Sequence, residues 1–201
     1  VHAGEARQKH AFSITDPIFC TATYTFPDSQ AVLDFVEKKL PREEYGRYGN
    51  PTEKVVEQKL AALEGGVAAL GVASGQAAET LSILNLARSG DNIVSSSSLY
   101  RGTYNLFKYT LAKLGIEVTF VEDQDDEAEW AAAVRPNTKA FFAESIGNPK
   151  INILDIERVA DVSHANNLPL IVDNTIATPY LIRPFEFGAD IVVHSATKFL
   201  G

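Results

Sequence analysis

Three separated stretches hold side chains whose types and settings could act together. The first is "ASGQAAET" (73–80), which puts Ser74, Gly75 and Gln76 at a strand-to-helix turn. N–H groups at a helix start have no partner within the helix, and a glycine allows close approach, so this turn can seat a phosphate. Ser74 reads equally well as a plain N-cap. Neither nucleotide-binding glycine fingerprint is present, which favours a single phosphate over a nucleotide. The second is Asp173, at the end of "PLIVD" (169–173). A carboxylate after four apolar residues is costly to bury unless it is paired. A protonated ring nitrogen would hold it ionised; an N-cap or Asx-turn is the other reading. The third is Lys198, beyond "DIVVHSAT" (190–197). A lysine near strand ends can be partly desolvated, which lowers its pKa and makes its amine nucleophilic. It also reads as a surface lysine opening the next loop.

Together the three favour one chemistry. A phosphate cradle, an acid for a ring nitrogen and a lysine for a Schiff base are the partners that pyridoxal 5'-phosphate needs. Their order, cradle then acid then lysine, suits successive strands of one sheet. Tyr100, just after "SSSSL", could stack flat on such a ring, or pack on the surface at a helix start. "YGRYGNPT" (45–52) adds Tyr45 and Arg47; arginine suits bidentate phosphate contact, while Gly46, Gly49 and Pro51 make the stretch a turn. His2, His10, His164 and His194 show no metal-ligand spacing, so no metal is assigned.

The elements that must position these residues alternate between helix and strand from residue 55 onward. Helical spacing and stop signals predict helices over 52–66, 76–91, 102–115, 126–134 and 156–167. Short apolar or alternating runs predict strands at 69–75, "NIVSSS", 116–122, 139–145, 169–174 and 190–195. Strands separated by single helices imply a three-layer α/β/α fold around a mostly parallel sheet. Their apolar runs suit burial on both faces. Residues 1–53 stand outside this rhythm and read as an extended arm, leaving 54–201 as the layered domain. In such sheets, ligands bind beyond the carboxyl ends of the strands. There the sequence puts Ser74 to Gln76, Ser95 to Tyr100, Glu144 to Asn148, Asp173 to Thr175 and His194 to Lys198.

Composition narrows the partners. Of 201 residues, 45% are hydrophobic and 22% charged, an ordinary globular balance. The net charge is −8, from 18 basic and 26 acidic residues, with no basic cluster, which argues against nucleic acid. No apolar run is long enough to cross a bilayer, so no membrane partner is expected. Cys20 is the only cysteine, which excludes an internal disulfide and fits a reducing, cytosol-like compartment. The first residue is Val1, so a targeting segment could precede it.

Six motifs carry a resemblance: "YGRYGNPT", "ASGQAAE", "LYRGTYNLF", "ESIGNP", "VDNTIATPYL" and "HSATKFLG". In this order they resemble the Cys/Met-metabolism family of pyridoxal-phosphate enzymes, over essentially the whole chain. The resemblance implies fold type I, with a large domain like that of aspartate aminotransferase. It implies that Lys198 forms the Schiff base, Asp173 pairs with the pyridine nitrogen and Tyr100 stacks on the ring. Gly75, Gln76, Ser195 and Thr197 would hold the phosphate, with Ser74 beside them, and Asn148 would lie near the ring hydroxyl. Tyr45 and Arg47 would reach the cofactor of a neighbouring subunit in a homodimer or homotetramer.

Within the family, "SGQAAETLSILNLARSGDNIVSSSSLYRGTYNLF" and "LIVDNTIATPYLIRP" look most like O-acetylhomoserine sulfhydrylases. "EEYGRYGNPT" is similar to the cystathionine γ-synthase branch, and Gly102 stands where methionine γ-lyases typically carry cysteine. The implied reaction is γ-replacement on an O-acylated homoserine by sulfide or a thiol, with Lys198 moving the protons and Tyr100 assisting. Cystathionine γ-synthase or a γ-lyase is the alternative within the family, and a non-catalytic truncated fold the alternative outside it. Family members extend well past the position of Gly201, and their substrate-carboxylate arginine lies there, so the chain reads as the N-terminal half of an enzyme.

Overall fold

The computed structural model describes residues 2–201, which form two units, one ending at Gly71 and the other running from Val72 to Gly201. In the first unit, α1 (Ser29–Val36) begins at Asp28, whose carboxylate accepts the Ala31 N–H. It is followed by α2 (Pro51–Glu64), capped by Asn50 and opened by a proline at its first position, where the missing N–H has no consequence. Gly65, in the left-handed region at φ 78°, stops α2.

The N-terminal residues lie against α2. Glu5 accepts from Arg7 Nε at 2.9 Å and from Lys59 Nζ at 3.0 Å. Lys59, with His2 and Arg7, holds the Glu5 carboxyl down at about 2. Thr52 Oγ1 accepts the Phe19 N–H at 2.9 Å. The arm is therefore hydrogen-bonded to a helix that the sequence rhythm had assigned to the layered domain. The compact units divide after Gly71.

The second unit is built on five parallel strands: β1 (Asn92–Ser96), β2 (Glu117–Val121), β3 (Thr138–Glu144), β4 (Leu170–Asp173) and β5 (Ile191–Val193). Their spatial order is β2-β1-β3-β4-β5. Alternation along each strand sorts its apolar residues onto two faces. Ile93, Ala140, Phe142, Ile171 and Val193 pack under α3 (Gly75–Leu86) and α4 (Arg101–Asn105). Val94, Phe141, Ala143, Leu170 and Val172 pack under α5 (Glu127–Ala133) and α6 (Ile156–Ala165). Both faces are dry, so the strands read as apolar runs, as buried parallel strands do. The chain leaves β1 toward β2 on one side and returns to β3 on the other, which makes the β1–β3 crevice the switch point of the sheet.

Four local features differ from the sequence expectations. Residues 69–74 form no strand: Gly71 N–H goes to Glu57 Oε1 at 2.7 Å, not to a ladder, and Val67 and Leu70 are exposed. The helix expected over 102–115 widens into a π-helical segment (Leu106–Leu111) after α4, and Phe107 and Leu111 are both buried by it. The arm contains α1. The stretch after Asp173 contains a further short helix, α7 (Thr178–Leu181), too short for periodicity to reveal. No helix among the described residues is long and apolar enough to cross a membrane.

Trp130 of α5 anchors one face. It is fully buried, stacks on Phe141 with centroids 5.2 Å apart and donates its indole N–H to Gln124 O at 3.0 Å. Trp130→Ala should cost about 3–5 kcal/mol in urea denaturation. The unfolding is to be followed by circular dichroism, because Trp130 is the only tryptophan.

Candidate functional site

The pairing of β3 with β4 determines the electrostatics of the site. Glu144 sits in register with Asp173, as Phe142 does with Ile171. Register partners in a parallel pair point to the same face, so both carboxyls project toward α3 and α4, beyond the Phe142–Ile171 layer. Glu79 of α3 meets them there, four residues before the buried Ile83 on the same helix face. Glu79 accepts from Thr103 Oγ1 at 2.9 Å and from Gln76 Nε2 at 2.8 Å. Thr175 N–H donates to Asp173 Oδ1 at 2.8 Å, which is the Asx-turn arrangement.

Three carboxyls so close cannot all be charged. Burial pushes Glu79 up to about 8, with repulsion from Asp173 next. Burial likewise pushes Glu144 up to about 8, against the stabilising backbone N–H of Tyr100 and with added repulsion from Asp173. Glu79 and Glu144 are therefore largely protonated at neutral pH.

Lys198 lies beyond β5. Its Nζ donates to Ser195 Oγ at 3.1 Å and to Thr197 Oγ1 at 3.0 Å, and those hydroxyls lie 3.1 Å from each other. Ser195 N–H donates to Thr175 Oγ1 at 2.8 Å, which ties this loop to the segment just after Asp173. The lysine is exposed, so the desolvation expected from a strand-end position is not present. Two hydroxyls hold the amine.

The N-terminus of α3 faces the same loop. Ser74 Oγ accepts the Ala77 N–H at 3.1 Å, so Ser74 is an N-cap; its hydroxyl proton remains available to donate. Gly75 is required by contact, since a Cβ there would stand 2.6 Å from Ser195 Cβ. The Gly75 and Gln76 N–H groups thus open next to the Ser195, Thr197 and Lys198 donors. Such a set of N–H, O–H and ammonium donors suits a phosphate.

Tyr100 is half exposed and follows β1. Its N–H donates to Glu144 Oε1 at 2.6 Å across the switch point. Its ring lies over Gly102, where a Cβ would come within 2.4 Å of Tyr100 Cε1. The exposed ring is free to take a flat partner. Asn148 is also exposed and precedes a cis peptide bond to Pro149. In the first unit, Arg47 stacks between two rings, 5.3 Å from the centroid of Tyr45 and 5.4 Å from that of Tyr48. The Gly46 N–H donates to Ala22 O at 2.7 Å and fixes this turn.

The structure thus gathers Ser74, Gly75, Gln76, Tyr100, Asn148, Asp173, Ser195, Thr197 and Lys198 at the carboxyl edge of one sheet. Tyr45 and Arg47 belong to the other unit. Sequence reasoning missed Glu79 and Thr103, which lie beside these residues. The only available signal was an acid on the apolar face of a helix, at the i+4 spacing from Glu79 to Ile83. An anion cradle, a carboxylate and an exposed flat ring around one amine match the phosphate, ring nitrogen and aldehyde of pyridoxal phosphate, so the residues present fit that group.

A parallel α/β sheet with an amine, a phosphate cradle and a carboxylate at its carboxyl edge defines the large domain of a fold-type-I pyridoxal-phosphate protein. The chain belongs to the Cys/Met metabolism PLP-dependent enzyme family, whose model matches residues 1–201. It is 48% identical over 199 residues to an O-acetyl-L-homoserine sulfhydrylase of Corynebacterium glutamicum, covering 99% of this chain and 46% of that protein. It is 48% identical over 186 residues to a homocysteine/cysteine synthase of Saccharomyces cerevisiae, covering 92% of this chain and 42% of that one. A crystal structure described as an O-acetylhomoserine (thiol)-lyase of Campylobacter jejuni superposes with a TM-score of 0.92 at 38% identity, covering 99% of this chain and 49% of that one. That crystal structure carries N'-pyridoxyl-lysine-5'-monophosphate. The chain spans about half the length of the relatives it matches.

Two outcomes follow. A carboxyl whose folded pKa is raised contributes stability that is present below its unfolded value and lost as pH rises through the folded value. Glu79 and Glu144 rise from 4.5 to about 8, so without added cofactor their contribution is lost across that window. Glu144→Gln, which keeps the acceptor for Tyr100, should flatten that part of a melting-temperature profile against pH. Gly75→Ala should destabilise by about 1–3 kcal/mol by forcing Ser195 away. Chemical denaturation reads the loss, and cofactor titration should show weaker binding.

Proposed function

We propose that this chain forms the cofactor-binding part of an enzyme that replaces the γ-substituent of an O-acylated homoserine with sulfide or a thiol. The observation that carries the proposal is the Lys198 amine, held by Ser195 and Thr197. The α3 N-terminus stands beside these hydroxyls, and Asp173 lies across the Thr175–Ser195 link. The relatives named sulfhydrylase and homocysteine synthase supply the reaction class.

When bound, pyridoxal phosphate withdraws electrons from the α carbon of an amino acid and makes its C–H bond acidic. The residues of this chain bind and orient. Ser74, Gly75, Gln76, Ser195 and Thr197 would hold the phosphate through N–H and O–H donors. Asp173 would pair with the ring nitrogen and favour its positive charge. Tyr100 would stack on the ring, and Asn148 would serve the ring hydroxyl. Lys198 would anchor the cofactor covalently and, with its amine free, would take protons from Cα and Cβ as the acyloxy group leaves Cγ, and return them to Cβ and Cα after sulfide or a thiol has added at Cγ. Tyr100 would be a second acid or base. Tyr45 and Arg47 act on the phosphate of a neighbouring copy in a homodimer or homotetramer, with Arg47 pre-oriented between two rings.

The arm motif "EEYGRYGNPT", similar to the cystathionine γ-synthase branch, supports a second reading in which cysteine is the thiol. In the full-length protein, pyridoxal phosphate should produce a visible absorption band that Lys198→Ala abolishes. A folded protein that gives no band would refute the assignment and favour a non-catalytic fold. O-acetylhomoserine with sulfide should yield homocysteine; cystathionine as the dominant product with cysteine would support the second reading.

A further inference from the structure

We propose that Thr175 is a positioning residue for Lys198: its hydroxyl replaces a missing rung between β4 and β5 and so fixes the turn that presents the lysine amine. The inference rests on the reading that Lys198 carries the cofactor.

The rung is missing because β4 and β5 part at their carboxyl ends. Their register runs as far as the pair Asp173–Val193, and the Asn174 N–H still reaches Val193 O at 3.0 Å. A residue in a parallel ladder donates its N–H to one residue of the neighbouring strand and accepts, at its carbonyl, from the residue two further on. The next rung would therefore join Ser195 N–H to Asn174 O. That carbonyl instead receives the Thr178 N–H at 2.9 Å, as the chain turns into α7. Ser195 N–H goes to Thr175 Oγ1, at 2.8 Å. A side chain closes the sheet where the backbone has turned away.

Thr175 is itself held on two sides. It is 9% exposed, and its N–H donates to Asp173 Oδ1 at 2.8 Å. Ser195, fixed by Thr175, holds Lys198 twice. The Ser195 carbonyl accepts the Lys198 N–H at 3.2 Å, and its Oγ accepts from Lys198 Nζ at 3.1 Å. Ser195 also packs against Gly75 at the start of α3. One line of bonds therefore runs from the acid through Thr175 and Ser195 to the amine.

Lys198 is exposed, so this turn, and not burial, orients its amine. The amine condenses with the cofactor aldehyde: a C=N bond forms and the carbonyl oxygen leaves as water. The rate of that step depends on how well the nitrogen is aimed at the carbonyl carbon. Without an acceptor at residue 175, the Ser195 N–H loses its partner and the turn loses its tie to β4. The amine then spreads over more positions, and fewer of them face the aldehyde.

The test adds saturating pyridoxal phosphate to the full-length protein, freed of cofactor, and follows the growth of the visible Schiff-base band by stopped flow. Thr175→Val keeps the shape but has no acceptor, and should form the band about tenfold or more slowly. Thr175→Ala, which cannot clash, should be slowed likewise. Thr175→Ser keeps the Oγ and should recover most of the wild-type rate. Ser195→Ala removes the contact to Nζ, and in that background Thr175→Val should lose most of its effect. Wild-type rates in Thr175→Val and Thr175→Ala, a Thr175→Ser as slow as Thr175→Val, or a full effect in the Ser195→Ala background each overturn the inference and leave the cofactor assignment intact. If neither Thr175→Val nor Thr175→Ala folds while Thr175→Ser does, the hydroxyl serves the fold and not the lysine, which also overturns it. Absence of the visible band in the wild type overturns the cofactor assignment itself.

Discussion

The register of β3 against β4, which puts Glu144 opposite Asp173, is the constraint on which the site depends. Parallel strands direct all their carboxyl ends to one edge, and register partners there share a face. Two acids meet beyond a dry layer of Phe142, Ile171 and Val193, and a third arrives from α3. No such cluster persists with every member ionised. The protein meets this by keeping Glu79 and Glu144 protonated and directing backbone and hydroxyl donors at them. Asp173, only partly buried, is the member best placed to meet a cation from outside.

The same edge carries the opposite charge a short distance along the sheet. Lys198, Ser195 and Thr197 form a knot of donors, and the Ser195–Thr175 bond joins it to the loop of Asp173. Close packing at Gly75 brings in the N-terminus of α3, where dipole and free N–H groups add positive potential. An anion is favoured at one end of the crevice and a cation at the other. A phosphorylated pyridinium has that polarity, which is why the arrangement suits pyridoxal phosphate better than a nucleotide.

The elements of the second unit were largely readable in advance. Alternating helix and strand patterns gave β1 to β5 and α3, α5 and α6 near their observed bounds, because each has a strong period of its own. Residues 69–74 were misread as a strand for the same reason. Their apolar run satisfies the local pattern, but a strand exists only where a neighbour supplies a ladder, and Gly71 bonds to a helix side chain. The bonds joining residues 2–19 to α2 are tertiary, and no local pattern reveals them.

Sequence by itself determined the chemistry available: which residues carry an amine, a hydroxyl, a carboxylate or a free helix N-terminus, in what order, and in which family's motifs. Only the tertiary structure decided which of them interact. Glu79 looked like any helix acid until β4 and α4 closed on it, and Lys198 looked desolvated until hydroxyls proved to be its partners. Tyr100 gained its orientation from Gly102 and Glu144, one near in sequence and one on another strand. The physical reason is that local periodicity sets the face a side chain occupies, whereas register and helix packing set its distance to other charges. Proton position depends on that distance and on burial.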